Sequence, residues 1–180
     1  MRYFTPDLYL RHNSPDDRIA DAATEAWEES LQAYQAHLEH LRDRLPTRVR
    51  ELSELYLHDA ELLAQQDAVT PDSLAPTGSA RVAPFWVPQS ILSLRQGDTL
   101  VTLIYHLRDN VRTTPAPHDW PFSKGRVDWL YDEIDTSAES FLHRVFLSDG
   151  RLLEIPFASV VIHSAPLKAA KSREAVRHSA

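Results

Sequence analysis

Residues 19–45, IADAATEAWEESLQAYQAHLEHLRDRL, decide how the rest of the chain must be read. Ile19, Ala23, Trp27, Leu31, Tyr34, Leu38, Leu41 and Leu45 recur at steps of three and four, which sets them on one face of an α-helix. Glu28, Glu29, Gln32, Gln35, Glu39, Arg42 and Asp43 take the other side. A helix so patterned draws its stability from an apolar surface laid against its stripe. The remaining sequence must supply that surface.

Upstream, Thr5-Pro6-Asp7 reads as an N-cap, a Pro at the first helical position and an acid in the first turn, opening a short helix that ends near Asn13. Ser14-Pro15-Asp16-Asp17 repeats this grammar, with Asp17 placed to close a capping box on Ser14. Downstream, Pro46 cannot sit inside a helix without a cost of about 3 kcal/mol. It is read as the first residue of a new helix to about Tyr56, with Val49, Leu52 and Leu55 inward.

From Leu57 the period changes to two. Ala60, Leu62 and Ala64 alternate with Asp59 and Glu61 as a first strand. Residues 68–89 hold Pro71, Pro76, Pro84, Pro88 and Gly78 and are read as a loop, its Phe85-Trp86-Val87 packing down as a lid. Ser90–Arg95 and Thr99–Leu107 flank Gln96-Gly97-Asp98 as a hairpin, with Val101, Leu103, Tyr105 and Leu107 on one face. After a loop at 110–125, Arg126–Asp135 is a strand with Val127, Trp129 and Tyr131 on one side. Phe141, His143, Val145 and Leu147 alternate in the next. Asp149-Gly150 signals a type I′ turn into Leu152–Ile155, and Val160–His163 closes the series. Six or seven strands joined mostly by hairpins make an antiparallel sheet. The expected fold is α+β: N-terminal amphipathic helices (1–56) packed on one face of that sheet (57–163), one domain over 1–166. The basic tail 167–180 is expected to be disordered.

The chain of 180 residues is long enough for one unaided core. Its formal charge of −7 argues against nucleic-acid binding and suits a basic protein partner, or simply solubility. Lys168, Lys171, Arg173 and Arg177 against Glu174 make 167–180 basic and leave the rest at about −10. With no Cys there is no disulfide, thiolate site or thiol nucleophile. The absence of an 18-residue apolar run and of an apolar leader points to a cytoplasmic protein with no membrane association.

Four glycines, each in a turn, exclude a Walker loop or a dinucleotide fingerprint, and no serine stands in a nucleophile elbow. No cofactor is expected. The nine histidines leave more room. His37 and His40 have a ligand-compatible spacing but no companion motif. His58-Asp59 is a possible polar site, since a carboxylate beside an imidazole can fix its tautomer; on a strand, however, the two would point apart. His106, His143 and His163 could converge on one sheet face with Asp59 or Glu154 and serve a metal-binding protein or hydrolase. The densest acidic-aromatic run is Asp128-Trp129-Leu130-Tyr131-Asp132-Glu133-Ile134-Asp135. Within it Asp128, Trp129, Tyr131, Asp132 and Glu133 are the candidate partner-binding residues, because aromatics anchor interfaces and acids steer basic partners. The ordinary alternative is a strand with one core face and one wet face.

Leu57-His58-Asp59-Ala60-Glu61-Leu62, Gly97-Asp98-Thr99-Leu100, the closing Gly150–Phe157 run and Val160 resemble small bacterial domains of polymorphic-toxin systems, some of them immunity proteins. Met1-Arg2-Tyr3-Phe4-Thr5 resembles the start of an uncharacterised bacterial family. The resemblance covers roughly residues 57–163 and implies an α+β fold. For immunity-type members it implies neutralisation of a toxin by direct binding, without catalytic residues. The expectation is therefore a non-catalytic, protein-binding bacterial protein. An enzyme or metal protein built on His58, Asp59 and the strand histidines, or a structural or oligomerising module built on Phe85-Trp86-Val87 and the helical stripe, stands as an alternative.

Overall fold

The computed structural model describes residues 1–71, 86–122, 125–137 and 140–167. The tail from residue 168, and Phe85 with the side chain of Trp86, lie outside them. Helix α1 (Pro6–His12) starts on Thr5, whose Oγ1 accepts the Leu8 N–H at 3.2 Å. Helix α2 (Asp17–Leu41) is capped by Asp16, not Ser14: the Asp16 carboxylate takes the Arg18 N–H at 2.9 Å, and Ser14 accepts from Asp16 N–H. A charged acceptor at the cap outcompetes a hydroxyl two residues back. Ala23, Tyr34 and Leu41 of the stripe are buried, whereas Leu31 is 43% exposed. At 100° per residue Leu31 lies about 80° round from Ala23, off the shared line. A 3₁₀ turn at Arg42–Arg44 leads to Pro46, which caps α3 (Thr47–Ser53) instead of occupying its first turn.

The α+β architecture is as expected, with seven strands among the described residues: β1 (Glu61–Pro71), β2 (Trp86–Gln96), β3 (Thr99–Leu107), β4 (Arg112–Thr114), β5 (Trp129–Ser137), β6 (Ser140–Leu147) and β7 (Leu152–Pro166). Their order is β1-β2-β3-β7-β6-β5, with β4 beside β7, and neighbouring pairs are antiparallel. Residues 68–71 and 86–89, expected in a loop, extend β1 and β2. Their Pro71 and Pro88 sit in the outermost hairpin, where a missing N–H is tolerated. The β6–β7 loop is longer than a two-residue turn, since Leu147 N–H bonds Arg151 O and Gly150 N–H bonds Leu147 O. Gly150 has φ +86°, and a Cβ there would stand 2.7 Å from Trp120, so both backbone and packing require glycine.

Two features bend the sheet into a cup. The long β7 pairs with β6 through Leu152–Phe157 and with β3 through Phe157–Pro166. The chain before β1 meets the chain entering β5: Asp59 N–H bonds Trp129 O (2.9 Å), Trp129 N–H bonds Ala60 O (2.8 Å) and Leu62 N–H bonds Val127 O (2.8 Å). The open sheet thus joins its outer strands at one end. Inside lie Leu92, Leu94, Leu103, Val145, Leu153 and Ile155, all fully buried, under Leu41, Leu45, Val49 and Leu52.

The helices cover more than the one face expected. A bulge between Trp129 and Tyr131 sends Trp129 into the cup and Tyr131 out of it. Outside, Phe4 and Trp27 pack on Tyr131 (ring centres 5.3 and 4.6 Å), and Tyr9 packs on Phe146 (5.5 Å). Helix α2 crosses the free edge of β5, where Tyr34 Oη accepts the Ile134 N–H at 2.8 Å. Glu133, 1% exposed, secures this wrap by accepting the backbone N–H groups of Arg2 (2.8 Å to Oε2), Tyr3 (2.6 Å) and Phe4 (2.9 Å). Removing that acceptor strands three donors, so Glu133→Ala is expected to cost about 3 kcal/mol. Urea unfolding monitored by tryptophan fluorescence measures it, and a loss under about 0.5 kcal/mol would refute the anchor.

Candidate functional site

The five residues of the acidic-aromatic run do not form one exposed surface. Trp129 and Glu133 are buried. Asp132 turns into the cup, where its carboxylate accepts Trp129 Nε1–H (2.9 Å) and His143 Nε2–H (3.0 Å). His143 in turn meets Tyr105 Oη at 2.8 Å through Nδ1. A carboxylate can only accept, so in the neutral ring Nε2 carries the proton and Nδ1 accepts from the tyrosine. Tyr105 and His143 are wholly buried, and only Asp132 of the chain has any solvent access, with 22% of its side chain exposed. Burial first, and then the charge of Asp132, drive the Tyr105 phenol well above its ordinary pKa. Ser90, in register with Tyr105 across β2 and β3, has a buried hydroxyl without a hydrogen-bond partner among the described residues. This line of polar side chains is internally closed apart from that one hydroxyl.

Asp128 and Tyr131 instead join His58 and Asp59 where the outer strands meet. His58-Asp59 is a turn and not part of a strand, and this reverses the geometry expected of it. Asp59 has φ +64°, a left-handed conformation that Asp tolerates better than most residues. With alternation broken, the two side chains approach: His58 Nε2 lies 3.6 Å from Asp59 Oδ1. His58 Nδ1 is 2.6 Å from Leu130 O. A carbonyl cannot donate, so Nδ1 holds the proton and neutral His58 offers its Nε2 lone pair outward. Its ring lies 5.0 Å from Tyr131 and 6.2 Å from Tyr56.

Arg126 completes the corner, bonding Asp128 Oδ1 at 2.5 Å and Asp59 O at 3.0 Å. Its pKa is raised, chiefly by the Asp128 hydrogen bond and further by the charges of Asp128, Glu61 and Asp59, which places three acids around one guanidinium. Glu61 pairs with Arg95. Burial, aided by Tyr9, Asp59 and Tyr56, pushes the Tyr131 phenol up to about 12.

The remaining histidines do not converge. His143 faces the interior, while His106, bonded to Ser159 Oγ at 2.8 Å, and His163 stand on the outer face. His37 pairs with Asp135 at 3.5 Å, and His40 is exposed. Glu154 binds Arg144 at 3.4 Å beside a charge-balanced cleft of about 420 Å³ lined by Arg108, Asp109, Arg112, Ser137 and Leu142. No group of three metal-ligating side chains occurs among the described residues, and none of the described helices is long and apolar enough to cross a membrane. The Tyr105–His143–Asp132 chain was missed in the sequence although a signal was present: His143 and Tyr105 each interrupt an alternating apolar run, where a polar side chain needs a buried partner.

Comparison of the chain with protein-family models finds no match, and neither does comparison with curated proteins.

The raised tyrosine pKa values make stability depend on pH in the alkaline range. A phenol raised above its unfolded value of 10.0 stabilises the native state fully below pH 10, and that contribution is lost as pH climbs through the folded value. Stability should hold flat to about pH 10 and fall between there and about 12 for the part due to Tyr131. Denaturant midpoints across this window should decline less steeply in Tyr131→Phe; an unchanged slope would contradict the assignment.

Proposed function

We propose that this chain works without catalysis, by binding another protein through the corner where its outer strands meet. The observation that carries the reading is the exposed pair Tyr56 and Asp59 on a rigid base: Tyr56 is 71% exposed and the Asp59 side chain 75%. Large aromatic side chains left in water beside acids are the usual anchors of interfaces. The base is set before any partner arrives, because His58 is pinned to Leu130 O and the Asp59 backbone is held by Trp129 O and Arg126. Preorganisation of this kind lowers the ordering cost of binding.

Asp59, Glu61 and Asp128 give the corner an acidic bias, and a formal charge of −7 on the chain favours a basic partner. The resemblance to immunity-type domains supports a sharper form: neutralisation of a basic toxin domain in a bacterial cytoplasm. The functional surface then keeps Asp128 and Tyr131 of the acidic-aromatic run and takes Tyr56, His58 and Asp59 in place of Trp129, Asp132 and Glu133. Capture from lysate of the native host at low salt, followed by mass spectrometry, should return one specific basic protein. The double variant Tyr56→Ala/Asp59→Asn, which keeps a residue tolerant of the left-handed backbone, should weaken that capture at least tenfold, about 1.4 kcal/mol. Equal capture by both proteins would overturn the assignment of this corner.

A further inference from the structure

The side of the sheet away from the cup is covered by α1 and α2 only at β5 and β6. Over β1, β2, β3 and the second half of β7 no helix lies on it among the described residues, and its composition differs from the rest of the surface. Register places Gln89, Ile91 and Ser93 of β2 beside Thr102, Ile104 and His106 of β3, and these beside Ser159, Val161 and His163 of β7. Ile91, Ile104 and Val161 stand in one row across three strands, partly buried and outside the core cluster. Ala64 and Ala68 extend the face onto β1. Among the described residues its charges are Arg95 and Glu61, paired with one another at a corner. A chain carrying 26 acidic and 19 basic residues has thus kept a broad four-strand face almost free of charge.

We propose that this face is where two copies of the chain pack together, sheet on sheet. Three observations select a second copy over another occupant. The face lacks charge, and depletion of charged residues marks the buried centre of an interface. Two bodies of charge −7 repel one another, so a self-contact belongs on the neutral surface, whereas a basic partner would be drawn to the acidic ones. The extent also fits. Four strands about 4.8 Å apart and seven residues long at about 3.3 Å span roughly 19 by 23 Å, or about 440 Å² in plan. Side-chain relief and rim bring this toward the ~600 Å² per partner at which stable interfaces begin. Aligned packing at about −30° lets the Ile91–Ile104–Val161 rows of two sheets interdigitate. The face meets the corner proposed for partner binding at Glu61, so the two surfaces adjoin.

Sedimentation equilibrium of the full chain at tens of micromolar should give twice the chain mass, with dissociation weakening as salt rises, because screening removes repulsion between like-charged bodies. Ile104→Lys should return the mass to that of one chain with an unchanged far-UV spectrum. The absence of native cysteine permits a clean reporter: Thr102→Cys, near the centre of the face, should form an intermolecular disulfide under mild oxidation, and Thr113→Cys on β4 should not. A wild-type protein that is monomeric at these concentrations, its face free or covered by its own chain, overturns the proposal. So does a dimer that survives Ile104→Lys or cross-links equally through both cysteines.

Discussion

A carboxylate sealed away from water must be surrounded by donors, and in this chain that requirement organises the whole helical half. Glu133 sits in the strand at the edge of the sheet and faces away from the cup. Its partners are three successive backbone N–H groups of Arg2, Tyr3 and Phe4, backed by Arg144 at 3.9 Å. Charge-assisted bonds of this kind are roughly twice as strong as neutral ones, and a lost partner leaves a buried charge uncompensated. Once residues 2–4 are fixed, Phe4 is set on Tyr131, α1 follows, and Tyr9 reaches Phe146. The reversal after α1 then sends α2 across the β5 edge, where Tyr34 takes the Ile134 N–H that no strand takes. An exposed edge, a common liability of sheets, is thereby closed by a helix and an N-terminal strap.

A second polar line works from inside the cup. Trp129, Asp132, His143 and Tyr105 tie β5, β6 and β3 together through side chains whose donors and acceptors match in only one arrangement. Shifting β5 by one residue would turn Asp132 outward and strand His143 Nε2–H in the core. Such a network adds little net stability over an apolar core. Its effect is on the register of the bulged strand, because the misregistered alternatives each bury an unsatisfied group. The Trp129 bulge and the network are two parts of one device: the bulge lets consecutive aromatic residues serve opposite faces, and the network fixes where it falls.

Elements with a strong local period were legible in the sequence. The α2 stripe, the Thr5 cap, the Gly97 hairpin and the Val101–Leu107 alternation all appear where periodicity and turn chemistry put them, since each depends on residues a few positions apart. The acidic-aromatic run misled because alternation was carried through Trp129 and Tyr131, and a bulge has no signature in residue order. His58-Asp59 was legible as a pair but not as a turn. What decides its geometry is Trp129, some 70 residues away, whose carbonyl takes the Asp59 N–H and holds the left-handed backbone. Likewise Glu133 reads as an outward acid until its donors, about 130 residues distant, are known. Partners so distant leave no trace in local pattern, so the fold could be read while the placement of its polar groups could not.

Charge shows how these parts bear on one another. Several acids that look available in the sequence are engaged: Glu133 by the N-terminal strap, Asp132 by the core, Glu154 and Asp135 by Arg144. Asp59, Glu61 and Asp128 gather at one corner beside Arg126 and Arg95, while the outer face of β1, β2, β3 and the second half of β7 carries little charge among the described residues. A protein needing only solubility would spread its charge over every exposed face, including a bare sheet, where an unbroken apolar row invites aggregation. On the two proposals made above, a neutral face and an acid-rich corner separate two kinds of contact. One is apolar and strengthened by salt; the other is steered by charge and weakened by it.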